Sequence, residues 1–84
     1  MGRKEKLVAR LRRHPKDFTY EEMCTLLGFF GFRQSNKGAT SGSRVAFVSA
    51  RYGAIVMHRP HPDNVLRPYQ VRQLLGVLEG KGLV

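Results

Sequence analysis

The sequence predicts an α+β fold in which helices cover a small antiparallel sheet. Residues 18–31 and 68–80 repeat apolar side chains at helical spacing, whereas the segment between them alternates apolar and polar side chains with a period of two. The chain has 84 residues, 42% of them hydrophobic and 25% charged, which suits one small folded domain rather than a disordered chain. We therefore expect the order α, α, β, β, β, α, with two helices packed on one face of a three-stranded sheet.

The first element is a basic arm, residues 1–16. It carries seven lysines and arginines against one glutamate, or +6 of the total charge of +9. Leu7, Val8 and Leu11 fall on one side of it before Pro15 ends the pattern. We predict a basic amphipathic helix that extends the main domain.

The main domain, residues 17–84, begins with a well-specified helix. Thr19 can cap its first turn, and Glu22, three residues later, completes a capping box. Gly31 supplies a glycine stop at the other end. Both ends of this helix are therefore predicted from local chemistry.

Three strand candidates follow, at residues 32–35, 43–49 and 54–58, separated by a glycine-rich loop and a short turn. The last helix is predicted to start at Pro68 and to end at Gly80. Its apolar stripe consists of Val71, Leu74, Leu75 and Leu78.

The net charge of +9 favours a polyanionic partner, because Lys and Arg neutralise phosphates and release counterions. Nucleic acid is the first partner to consider, and Arg10 and Arg13 of the basic arm are candidate phosphate contacts. A basic helix face that is merely solvated is the alternative. With no apolar run typical of a signal peptide or a membrane span, we expect a cytoplasmic protein that does not enter a membrane.

Two histidines stand three residues apart in the stretch MHRPHPDN. The chain has three histidines and one cysteine, too few well-placed ligands for a zinc site, so we expect no metal and no cofactor. A neutral imidazole can instead accept the proton of a ribose 2′-hydroxyl or return one to a leaving 5′-oxygen, which makes His58 and His61 candidate catalytic residues. The alternative is a structural role: Pro60 and Pro62 would stiffen the connection between a strand and the next helix, and the histidines would have no catalytic part.

In a second stretch, TSGSRVAF, an arginine follows a loop of small residues and stands at the start of a predicted strand. Gly42 and Ser43 allow close approach of a phosphate, and the guanidinium of Arg44 fits phosphate oxygens. Arg59, beside the histidines, is a further candidate phosphate ligand. A flexible hairpin loop with a solvated arginine is the alternative.

The stretches LLGFFGF, TSGSRVAF, HRPHP and PYQVRQLL, ending in a terminal GLV, together resemble the HicA family of small toxins over about residues 18–84. The resemblance implies a fold similar to a double-stranded RNA-binding domain (dsRBD-like). It implies a type II toxin that cleaves mRNA without a metal, and a partner antitoxin of the HicB family.

One position departs from the family pattern. The better-known family members carry their catalytic histidine directly after the Gly and Ser of the loop, where this chain has Arg44. Arginine stays protonated and cannot act as a base there, although it can stabilise phosphate charge. Three interpretations follow: the proton transfer has moved to His58 or His61, with Arg44 and Arg59 holding the phosphate; the protein binds RNA without cutting it; or it acts only through its protein partner.

Overall fold

The computed structural model describes residues 2–35, 44–60 and 63–84. In these ranges the fold is α+β, with three helices and an open three-stranded antiparallel sheet. The order of elements agrees with the sequence-based prediction. The elements are α1 (Arg3–Arg12), α2 (Tyr20–Phe29), β1 (Arg33–Ser35), β2 (Arg44–Ser49), β3 (Gly53–His58) and α3 (Pro68–Gly80).

Helix α2 is bounded as its sequence predicts. The Thr19 hydroxyl accepts from the backbone N–H of Glu22 at 3.1 Å, and the Glu22 carboxylate accepts from the backbone N–H of Thr19 at 2.9 Å. At the other end Gly31 adopts a φ of 90°, and the N–H of Phe32 donates to the carbonyl of Leu27. These two bonding patterns satisfy backbone groups that a helix end otherwise leaves open.

Helix α1 packs against α2 and α3 and shares their core. Leu7 and Leu11 are buried in the same cluster as the side chains of the other helices. The helix ends where His14 takes a left-handed φ of 53° and Pro15 follows without an N–H to continue the bonding. Residues 1–16 therefore contribute to the packing of residues 17–84.

The sheet has the order β1-β2-β3 with both pairs antiparallel. Its helix-covered face carries Phe47, Ile55 and Met57, all of them buried. Strand β1 starts one residue later than predicted, because the N–H of Phe32 is used by the end of α2.

Helix α3 starts at Pro68, as predicted, and buries its apolar stripe. Gln70 is buried with these leucines and valines and is 2% exposed, an outcome the apolar periodicity does not predict. None of the helices in the described ranges has the length and apolar character needed to cross a membrane. The buried core consists of Leu7, Leu11, Phe18, Tyr20, Met23, Leu26, Leu27, Phe32, Phe47, Ile55, Met57, Leu66, Val71, Leu74, Leu75 and Leu78.

Candidate functional site

The sheet face turned away from the helices is a basic surface with an apolar centre. We call it the open sheet face. Side chains alternate along a strand, so residues that alternate with the buried ones lie on this face. Val48 and Val56, in its centre, are 41% and 46% exposed. The face consists of Arg33, Ser35, Arg44, Ala46, Val48, Ala54, Val56 and His58.

Arg44 and His58 lie directly opposite each other at one end of this face. They are register partners in the β2–β3 pair, and both side chains are exposed. The Cβ atoms of such cross-strand partners are about 4.5–5.5 Å apart. A guanidinium and an imidazole are therefore attached within reach of a single phosphodiester, as the sequence-based hypothesis for His58 requires.

Three residues of the predicted site lie outside the described residues. Gly42 and Ser43 immediately precede Arg44 in the chain, and His61 follows His58 by three positions. The structure therefore leaves their predicted roles untested.

Arg59 does not share the open sheet face with Arg44. Its guanidinium carbon lies 4.9 Å from the centre of the Tyr20 ring. A hydrogen bond to the Tyr20 hydroxyl raises the pKa of Arg59, while burial is the main cause of the raised pKa of Tyr20. The Tyr20 hydroxyl also contacts Gln34 Oε1 at 3.3 Å. Alternation along the chain separates Arg59 from His58, so we do not include it with Arg44 in one phosphate site.

Arg10 is held by carboxylates. Its guanidinium donates to Glu22 and forms an ion pair with Asp17 at 2.8 Å. It also lies 5.3 Å from the centre of the Phe18 ring. These contacts join α1 to the start of α2 and engage the Arg10 guanidinium, whereas Arg13 at the end of α1 is exposed. Phosphate binding by Arg10 and Arg13 stays a prediction.

The backbone of β3 is anchored by a buried amide. Gln70 Nε2 donates to the carbonyl of His58 at 2.6 Å, and Gln70 Oε1 accepts from the backbone N–H of Arg67 at 2.8 Å. One turn along the helix, Gln73 Nε2 donates to the carbonyl of Val56 at 3.4 Å. Helix α3 thus holds the end of the strand that carries His58.

Arg33 is a site residue that the sequence analysis missed. It pairs with Val48, four residues along β2 from Arg44, which corresponds to about 13 Å along the strand. The signal that could have found it is the alternation that begins at buried Phe32. Arg33 therefore adds a second cation to the open sheet face.

The described residues hold no cluster of three or more His, Cys, Asp or Glu side chains that could bind a metal. Burial raises the pKa of the Cys24 thiol, so it is mainly protonated and weakly nucleophilic at neutral pH. Comparisons of the chain with protein-family models, curated proteins and solved structures found no match.

Proposed function

We propose that this chain is a HicA-like, RNA-directed toxin that cleaves RNA without a metal at its Arg44–His58 pair. The observation that carries the proposal is the direct cross-strand pairing of these two exposed side chains on an open basic face. The pair combines a group that can move a proton near neutral pH with a permanent cation suited to a phosphate. Such an activity on mRNA belongs in the cytoplasm.

The proposed reaction uses the 2′-hydroxyl of the substrate as the nucleophile. The neutral imidazole of His58 takes the 2′-hydroxyl proton while the 2′-oxygen attacks phosphorus. The bond from phosphorus to the 5′-oxygen breaks, and a protonated imidazole, that of His61 in this scheme, returns a proton to the leaving oxygen. The products are a 2′,3′-cyclic phosphate and a 5′-hydroxyl. Arg44 stabilises the charge that develops on the phosphate oxygens.

The architecture supports the dsRBD-like part of the proposal. Helix α2, three antiparallel strands in meander order and helix α3 follow one another as that fold requires, with the helices on one sheet face. A HicB-like antitoxin that covers the Arg44–His58 pair is the protein partner that the resemblance adds to this proposal.

The test is a cleavage assay on labelled single-stranded RNA oligonucleotides of mixed sequence in the presence of EDTA. Removing a general acid or base costs about 10²–10⁴-fold in rate, so His58→Ala should lose at least about a hundredfold. Arg44→Ala should lower the cleavage rate by a similar factor. Arg44→Lys should recover part of the rate, because lysine restores the positive charge but not the paired N–H donors of a guanidinium.

Two controls separate chemistry from binding and folding. Arg72→Ala removes an exposed charge on α3 and should cleave within about twofold of the parent chain, since surface changes away from the site have small effects. A 2′-deoxy oligonucleotide should bind and remain intact. Unchanged cleavage by the double variant His58→Ala, His61→Ala, with a normal unfolding curve, would refute the histidine mechanism.

A non-catalytic RNA-binding module is the second candidate function. One observation favours it: the described part of the open sheet face carries a single imidazole, that of His58. Acid–base cleavage needs two proton transfers. RNA that is retarded in a gel by the parent chain but never shortened would support this alternative over the proposed enzyme.

A further inference from the structure

A groove lies between α1 and the C-terminal end of the chain. Its volume is about 300 Å³, and it is lined by Val8, Ala9, Phe30 and Leu83, with Lys4 and Arg12 also on its walls. None of these residues belongs to the open sheet face. The apolar walls distinguish this groove from the exposed charged surface of the rest of α1.

Cations flank the apolar part of the groove. Lys4 and Arg12 are eight residues apart on α1, which places their Cα atoms about 12 Å apart along the helix. The Lys4 ammonium lies 5.8 Å from the centre of the Phe30 ring, which forms part of the wall. A partner that enters between the two cations therefore meets positive charge on both sides.

Glu5 is the acidic side chain of the groove. A Cβ atom built on Gly2 would lie 2.6 Å from Glu5 Oε2, so this carboxylate sits against the first turn of α1. Negative charge is stabilised at that end of a helix. The wider surroundings remain strongly basic, since residues 1–16 carry six net positive charges.

We propose that this groove binds an acidic protein segment that inserts a large apolar side chain between Lys4 and Arg12. The apolar walls would supply the affinity, and the flanking cations would supply selection for acidic partners and a faster approach. A volume near 300 Å³ is at the lower end of the range of ligand sites, about 300–1,000 Å³, which suits an anchoring side chain.

An acidic protein segment fits this groove better than a second copy of the chain or a nucleic acid does. A second copy of the chain carries the same +9, so two copies repel each other at this basic surface. A nucleic acid would bring phosphates, which the apolar walls cannot hydrogen-bond. The inference is independent of the proposed RNA cleavage, because the groove shares no residue with the Arg44–His58 pair.

The probe is a fluorescent synthetic helical peptide of about 16 residues, built from Glu and Ala with two Leu residues four positions apart. One comparison peptide replaces Leu by Ser, and a second replaces Glu by Lys. We expect fluorescence anisotropy to show saturable binding of the acidic Leu peptide by the parent chain, and at least tenfold weaker binding of both comparison peptides.

Variants locate the binding site. Ala9→Trp fills the groove from an exposed position without changing the charge and should weaken binding at least tenfold. Arg12→Glu should weaken it at least tenfold, whereas Arg72→Glu, the same charge change on α3, should weaken it less than threefold. Urea unfolding curves check that each variant folds.

Three outcomes would overturn the proposal. Binding by Ala9→Trp equal to that of the parent chain would place the peptide elsewhere. Equal binding of the Leu and Ser peptides would reduce the interaction to charge alone. A loss of single-stranded RNA binding in Ala9→Trp as large as its loss of peptide binding would assign the groove to nucleic acid.

Discussion

Gln70 shows how one buried amide can position a candidate catalytic residue without touching a substrate. Its two ends bond backbone groups of Arg67 and His58, which belong to different elements. A carboxylate could accept at one end but could not donate at the other. The amide is therefore the side chain that satisfies both groups at a position 2% exposed.

Replacing Gln70 by Met keeps the length of the side chain and removes both hydrogen bonds. We expect a loss of about 1–3 kcal/mol in the free energy of unfolding, because two hydrogen bonds made by a buried amide to the backbone of His58 and Arg67 would be lost. Urea unfolding measures it. Gln73→Met is the matched control, since Gln73 is exposed, and should change stability by less than about 0.5 kcal/mol. Equal losses of unfolding free energy in the two variants would show that the buried Gln70 amide stabilises the fold no more than the exposed Gln73 amide does.

Three arginines of this chain have different partners in the folded structure. Arg10, Arg44 and Arg59 are indistinguishable as cations in the printed sequence. In the structure Arg10 pairs with carboxylates, Arg59 lies over a tyrosine ring, and Arg44 faces His58. Which acceptor each guanidinium meets depends on contacts between elements, so composition cannot rank the three as phosphate ligands.

At the scale of elements, the connection between α1 and α2 depends on the Glu22 carboxylate. Burial by itself would raise the pKa of Glu22, but hydrogen bonds from Arg10 and Thr19 outweigh it and hold the pKa below its ordinary value near 4.5. The ionised form is therefore favoured in the folded state. The same carboxylate closes the capping box of α2 and holds α1 through Arg10.

This shift predicts a pH dependence of stability. A lowered folded-state pKa contributes stability that is fully present above about pH 4.5 and is lost as the pH falls through the folded value. Glu22→Gln should be less stable than the parent chain at pH 7, and the difference should shrink as the pH falls below about 4.5. Chemical unfolding over this range measures it. A difference that stays constant with pH would contradict the assignment.

For the whole molecule, cations are found on two separate surfaces that each include apolar side chains. The basic arm presents cations beside an apolar groove, and the open sheet face presents Arg33 and Arg44 beside an apolar centre. Helices α2 and α3 cover the opposite face of the sheet and so separate the open sheet face from the groove beside α1. The fold therefore offers one surface for RNA and another for an acidic protein segment, as proposed above.

RNA binding at the open sheet face, as proposed, has a testable salt dependence. Each phosphate contact on a single strand contributes about −0.7 to the slope of log K against log salt concentration. Arg33→Ala should make the slope less negative by about 0.7 and weaken binding evenly across RNA sequences. Fluorescence anisotropy titrations at several salt concentrations measure the slope. Arg72→Ala is the matched control, and a slope that shifts equally in both variants would remove Arg33 from the contact surface.

Much of the architecture follows from local patterns in the chain. The Thr19–Glu22 box, the stop at Gly31, the start at Pro68 and the period-two segments all predict elements that the structure contains. They do so because a cap, a left-handed residue or a repeat of apolar side chains acts over three or four neighbouring residues.

Other features required the packed molecule. The burial of Gln70, the partners of Arg10 and Arg59, and the groove beside α1 each join residues from different elements. Residues of the same type, which the sequence does not distinguish, have different neighbours once helices and strands are packed together. Local spacing therefore determined which elements form and which side chains share a face, while tertiary packing alone decided which cations remain open to a ligand.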